Sequence, residues 1–328
     1  MQIKSFISYI YFKIIEPDIE KDLTRNKNHK INDNYDISPE KKQRDFGKYN
    51  ESIERFKEIF KESFTEEQYQ RMLYRLSGLT IEEKELDYKL SFTVSAGTYD
   101  SYYNKITINK FNGIELDISE EELLFHELMH MASTNYSATG ASTGLELSDL
   151  LGVQLNEGYT DYLTRKYFTR GYKYTESHEN NIMIAKGIEN IIGSERMEEL
   201  FFTSNINGLI DELSKYISRE NVIKLLFLID RIPDISNKSK EFDYVIKQIS
   251  ILNGKKLIKD LNEGKITQKE YEEQYAIKVK EYRMYQMWSE DTKVTEDETS
   301  FILHDHEYVS SLYERSIIPK NKLQYQKI

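Results

Sequence analysis

Apolar side chains recur at intervals of three and four through most of this sequence and alternate with polar ones in only one region. Ile3, Phe6, Ile7, Ile10 and Ile14 share a helical face, which predicts an N-terminal helix packed on the core. Residues 17–50 are dominated by Asp, Glu, Lys, Asn and Arg and read as a polar linker. Ile53, Phe56, Phe60 and Phe64 restore the helical period. Thr65-Glu66-Glu67-Gln68 then has the form of a capping box, in which threonine and glutamine side chains satisfy amides at the start of a second helix that Gly78 closes. Leu90, Phe92 and Val94 alternate with polar neighbours, as do Ile106 and Ile108 beyond a turn around Tyr99 to Asn104, so a β-hairpin is expected.

Helical spacing resumes from 119 to about 136 and from about 155 to 167. Between these helices Gly140, Gly144 and Gly152 mark a connection expected to hold a turn or short helix around Leu145 to Leu151. Further helices are predicted over 182–192, 222–229 and 244–258, and a long one from Thr267, where Thr267-Gln268-Lys269-Glu270 repeats the capping box. The polar stretch 289–300 sets off a C-terminal tail. The expected fold class is therefore α+β and predominantly helical, in three regions. Residues 1–85 are helical around the linker at about 17–50, residues 86–170 hold the strands and two helices, and residues 171–328 are helical with a polar tail.

Composition narrows the chemistry. The 328-residue chain has no cysteine, which excludes disulfides, thiolate metal sites and cysteine nucleophiles, so a transition-metal site must use histidine and carboxylate. A formal charge of -11 offers nucleic acid no general cationic surface. The apolar run from Phe6 to Phe12 is short, interrupted and followed by Lys13, unlike a signal peptide. No stretch reaches the ~18 uninterrupted apolar residues of a membrane span. A cytoplasmic protein is expected, with export by a non-classical route left open.

One five-residue string carries candidate chemistry. Ser119-Glu120-Glu121-Glu122 is a good helix start, with a capping serine, Glu122 placed to reach back, and acidic residues at the positive end of the helix dipole. The following His126-Glu127-Leu128-Met129-His130 therefore lies on a helix. His126 and His130, four apart, project from one face and can share one ion, while Glu127 can reach an activated water without being a ligand. Leu124, Leu128 and Met131 are left for the core. Two histidines leave a catalytic zinc one protein ligand short. Asn156-Glu157-Gly158-Tyr159-Thr160-Asp161 follows on a second helix, with Glu157 and Asp161 one turn apart, so that if Glu157 ligates, Asp161 lies where it can orient a ligand histidine. Gly158 lowers helix propensity but lets another backbone come close.

His-Glu-Leu-Met-His followed by Asn-Glu-Gly-Tyr-Thr-Asp resembles the gluzincin zinc metallopeptidases, whose thermolysin-like pattern is HExxH and then NExxxD. The likeness covers residues 120 to 165 or so. It implies a zincin-like catalytic core with a small β-sheet within 86–170, one Zn2+ held by His126, His130 and Glu157, Glu127 as general base, and Asp161 as partner of a ligand histidine. It also implies a peptide or protein substrate, held in extended form beside an edge strand. The third histidine of the metzincin pattern is absent from Met131 to Gly140. Many gluzincins add a histidine or tyrosine that stabilises the oxyanion. The candidates here are His178, Tyr174 and the pair His304 and His306. The alternative function is a zinc-binding regulatory or interaction protein on an inactive peptidase scaffold.

Overall fold

The computed structural model describes residues 16–24, 44–87, 89, 94–113, 118–137, 140–147, 151–168, 179–231 and 240–277. The chain divides into two compact units, Met1–Asn237 and Lys238–Ile328. It is predominantly helical with a small sheet, as the α+β expectation requires. Among the described residues no helix is long and apolar enough to cross a membrane. The expected helix at 3–14 and the polar stretch 289–300 lie outside the described residues.

Helices α1 (Asn50–Ser63) and α2 (Glu66–Gly78) form where the periodicity places them. The box between them is complete: Thr65 Oγ1 accepts from Gln68 N at 3.3 Å, and Gln68 Oε1 accepts from Thr65 N at 3.0 Å. α1 buries Ile53, Phe56 and Phe60, the last in ring contact with Phe64, Phe125, Tyr167 and Phe202. Each buried phenylalanine contributes on the order of 1.5–3 kcal/mol, so this aromatic cluster is a main attachment of α1 to the helices behind it. Residues 16–24, expected within the linker, are helical instead, with Ile19 and Leu23 buried. Two apolar residues four apart make a sufficient stripe once Asn207 Nδ2 donates to Leu23 O at 3.0 Å.

The sheet has the order β1 (Thr80–Asp87), β3 (Lys105–Asn112), β2 (Gly97–Asp100), parallel on the first side and antiparallel on the second. The expected hairpin exists, but its first strand is β2 and not the run from Leu90 to Val94. Val94 lies in a bend, and Leu90 and Phe92 fall outside the described residues. Register explains the shift: buried Ile106 and Ile108 face Tyr99 and Gly97, and Asn104 at φ 48° closes the turn. β1 had no apolar alternation to announce it. It is a largely exposed edge strand whose Glu82 and Glu83 pair with Lys105 (3.2 Å) and Lys110 (2.5 Å) of β3.

Next come α3 (Glu120–Ser133), β4 (Thr134–Ser137), β5 (Gly140–Thr143) and α4 (Val153–Tyr167). α3 stops three residues earlier than expected. Ser133 Oγ and Thr134 Oγ1 both donate to His130 O, at 3.1 and 2.9 Å, and the chain enters a strand that pairs with β5. Where a turn or short helix was expected, residues 144 and 145 turn and Leu147 bridges Leu151. The unit continues with α5 (Glu179–Ile192), α6 (Ser194–Phe202), α7 (Ile206–Leu213) and α8 (Arg219–Ile229). In the second unit, α9 (Lys240–Asn262) turns at Gly264 (φ 70°) into a helix over 268–277, opened by the expected box between Thr267 and Glu270. Leu257 and Tyr271 pack across that hairpin with Ile258, Leu261, Ile266 and Tyr275.

α4 has no local side-chain cap, because its N-cap is Gly152 in the left-handed region. Asp230, at the end of α8, substitutes: its carboxylate accepts from Gly152 N at 2.7 Å and Gln154 N at 2.9 Å. Burial pushes the Asp230 carboxyl up to about 6, against the opposing pull of those amides and of Arg231. A group whose folded pKa is raised contributes stability that is complete below its unfolded pKa of about 4 and is lost as pH rises through its folded value. Asp230→Asn abolishes that titration, so the melting temperature of the native protein relative to the variant should fall from about pH 4 to about pH 7. A difference that grew over that range would contradict this account.

Candidate metal centre

α3 is anchored at both ends. At its start Ser119 Oγ accepts from Glu122 N at 3.1 Å, and the acidic first turn faces the positive end of the helix dipole. Glu120 joins a network with Lys48, Lys110 and Tyr49, whose hydroxyl lies 2.7 Å from carboxylate oxygens of both Glu83 and Glu120. At its end the buried Arg75 donates from Nη1 to the carbonyls of Met131 and Ala132, both at 2.9 Å, and from Nη2 to Asn135 Oδ1 at 3.2 Å. A cation at a helix C-terminus satisfies carbonyls that the helix itself leaves open. Leu124, Leu128 and Met131 are fully buried, as expected for the core side of α3.

α4 packs against α3 so that His126 meets both Glu157 and Asp161 while His130 meets Glu157. His126 Nδ1 lies 2.8 Å from Asp161 Oδ1, and its Nε2 lies 3.4 Å from Glu157 Oε2. His130 Nε2 lies 3.4 Å from Glu157 Oε1 and 3.0 Å from His126 Nε2. His126, His130 and Glu157 are the group of metal-ligating side chains found among the described residues, with donor atoms all within 4.8 Å of one another. Four donors at 2.0–2.1 Å from a tetrahedral zinc lie about 3.3 Å apart. The observed separations meet that test, and Asp161 leaves His126 Nε2 free to face the other donors. The cluster opens on the Glu157 side, where that side chain is 33% exposed against 12% for His126.

The electrostatics favour a cation. Burial opposes charge on His126, yet the Asp161 and Glu157 carboxylates hold its pKa well above the usual histidine range. His130 is also raised, against its burial, chiefly by Glu157. Burial would raise Glu157, but the two imidazoles hold it well below the usual carboxylate range. Glu127 behaves differently. It is 4% exposed and makes no hydrogen bond or ion pair among the described residues. Burial pushes its carboxyl up, with His126 and His130 offsetting part of that rise.

The structure thus brings together His126, Glu127, His130, Glu157 and Asp161. His178, Tyr174, His304 and His306 lie outside the described residues. Two charged neighbours of the site were not expected there although their spacing was visible: Glu122, named only as a capping residue and four before His126, and Arg165, four after Asp161. The Glu122 carboxyl, raised by burial, is influenced by Arg165, Asp161 and His126, and among the described residues makes no return bond to the Ser119 amide. Asn156 Oδ1 accepts from Leu145 N at 2.9 Å and ties α4 to the connection before it. No family model, curated protein or solved structure matches the chain, so the likeness to gluzincins rests on the two motifs themselves.

Gly158 meets the expectation of close approach. A Cβ there would lie 2.4 Å from the carbonyl carbon and oxygen of Asn181, on α5. In an open helix Gly→Ala gains up to about 1 kcal/mol. Here the contact is with backbone, so the clash wins, and Gly158→Ala should cost about 1–3 kcal/mol by denaturant unfolding. A neutral or stabilising result would mean that α4 and α5 are further apart.

Proposed function

We propose that this protein is a zinc-dependent peptidase of the gluzincin kind, with a zincin-like core built by α3, α4 and the sheet. The observation that carries the reading is the set of three donors, His126 Nε2, His130 Nε2 and Glu157, separated by 3.0–3.4 Å, with Asp161 behind His126. Bound there, zinc would polarise a scissile carbonyl and bring the pKa of water towards ~7. Asp161 holds the His126 ring by accepting from Nδ1 and so orients its other nitrogen. Glu127 takes a proton from the attacking water as its oxygen bonds to the carbonyl carbon, then returns it to the amine nitrogen as the C–N bond breaks. Its position suits that task, since the side chain is 4% exposed and has no competing hydrogen bond or ion pair among the described residues. The substrate class is an extended peptide, because among the described residues β2 is an edge strand and its first residue lies against Glu127.

Zinc stoichiometry measured together with cleavage of a peptide library tests this. The native protein should hold one zinc and cleave. Glu127→Gln should keep the zinc and lose at least about 100-fold in turnover. His126→Ala and Glu157→Ala should lose stoichiometric zinc, and Asp161→Ala should weaken zinc binding by about 10–100-fold. Full cleavage by Glu127→Gln would overturn the mechanism. Zinc without turnover in the native protein would favour a regulatory or interaction protein on the same scaffold.

A further inference from the structure

Gly97, the first residue of β2, is where the sheet meets the carboxylate of Glu127. A Cβ on Gly97 would stand 2.6 Å from Glu127 Oε1, 3.1 Å from its Cγ and 2.8 Å from Leu123 Cδ1. Real Cβ atoms do not approach other heavy atoms within 3.0 Å, so with the strand in this place a side chain at 97 would push the Glu127 and Leu123 side chains aside. The glycine is not required by backbone conformation, because Gly97 is not among the residues with positive φ. Space is the requirement.

Neither backbone is free to retreat. Gly97 sits opposite Ile108 in the β2–β3 ladder. Ser95 Oγ donates to Gly97 O at 2.6 Å, Asn109 Nδ2 to Ser95 O at 2.7 Å and Asn109 N to Ala96 O at 2.7 Å, which pins the strand start to β3. The far end of the hairpin is fixed as well, since Tyr136 Oη donates to Ser101 O at 2.6 Å and Asn104 Nδ2 to Arg75 O at 2.8 Å. On the other side α3 is held by the Glu120 network and by Arg75. With both supports rigid, an added methyl group displaces the Glu127 side chain.

We infer that Gly97 is a positioning residue for Glu127: the bare backbone of β2 is the wall that sets where the carboxylate rests beside the His126, His130 and Glu157 donors. The catalytic consequence rests on the peptidase reading, whereas the steric coupling does not. Gly97→Ala turns the carboxylate away from the wall and leaves the three donors, none of which is among the three atoms nearest to that Cβ, in place.

The test is a double-mutant cycle between Gly97→Ala and Glu127→Ala in the full chain, read in two ways. In protein stripped of metal by a chelator, Gly97→Ala should lower the melting temperature. That fall should shrink by about half or more when Glu127→Ala removes Cγ and Oε1, leaving only the Leu123 contact. In zinc-loaded protein, Gly97→Ala should keep zinc affinity and KM within about 2-fold while kcat falls by up to about 100-fold, the size expected of a displaced catalytic group. An equal fall in melting temperature in both backgrounds would place the clash on Leu123 alone and overturn the inference, as would an unchanged kcat. If Gly97→Ala does not fold but the double variant does, the coupling stands in its extreme form; if neither folds, it is overturned. Coupled melting temperatures in a protein that cleaves no peptide would support the contact and overturn the peptidase reading.

Discussion

Two imidazoles cannot be buried 3.0 Å apart among several carboxylates unless their charges and hydrogen-bonding atoms are compensated. Here compensation runs along the contact between α3 and α4: Asp161 takes His126 Nδ1, and Glu157 faces the Nε2 atoms of both histidines. The bond to Asp161 settles which ring nitrogen of His126 faces outward. With that nitrogen committed, the three remaining donors converge on a point that suits a small divalent cation.

Much of the surrounding structure holds those two helices in register. Arg75 and the Glu120 network fix α3 at its ends, and Asp230 caps α4 from a position 78 residues from Gly152. Gly158 lets α5 press on α4 at the residue after Glu157. Tyr159 and Tyr162 add hydrogen bonds to Glu189 of α5, at 2.7 and 3.1 Å, on another face of α4. These contacts replace loop freedom with helix rigidity, so the side chains at the site need little reorganisation to bind a ligand.

The helices were legible because apolar spacing and capping residues are local signals. Thr65 with Gln68 and Thr267 with Glu270 form the boxes that four consecutive residues announce. His126, His130, Glu157 and Asp161 were legible for a related reason: spacing of four places each pair on one helical face, and only the meeting of the helices had to be supplied. What escaped notice depends on contacts distant in sequence. β1 is charged because an edge strand needs only backbone partners, so Thr80–Asp87 carried no alternation. The helix at 16–24 needs only Ile19 and Leu23 and a neighbour to receive them. Arg75, Asp230 and Gly97 act through groups 26 to 78 residues away, and their roles appear only once the chain is folded.

We propose that α3 and α4 hold a metal ion between His126, His130 and Glu157. Anomalous diffraction from crystals of the purified protein, with data on both sides of the zinc absorption edge, tests it most directly. The account requires one edge-dependent peak about 2.0–2.2 Å from Nε2 of His126, Nε2 of His130 and a carboxylate oxygen of Glu157. Crystals grown with zinc that show no peak there, while these side chains keep their separations, would contradict it.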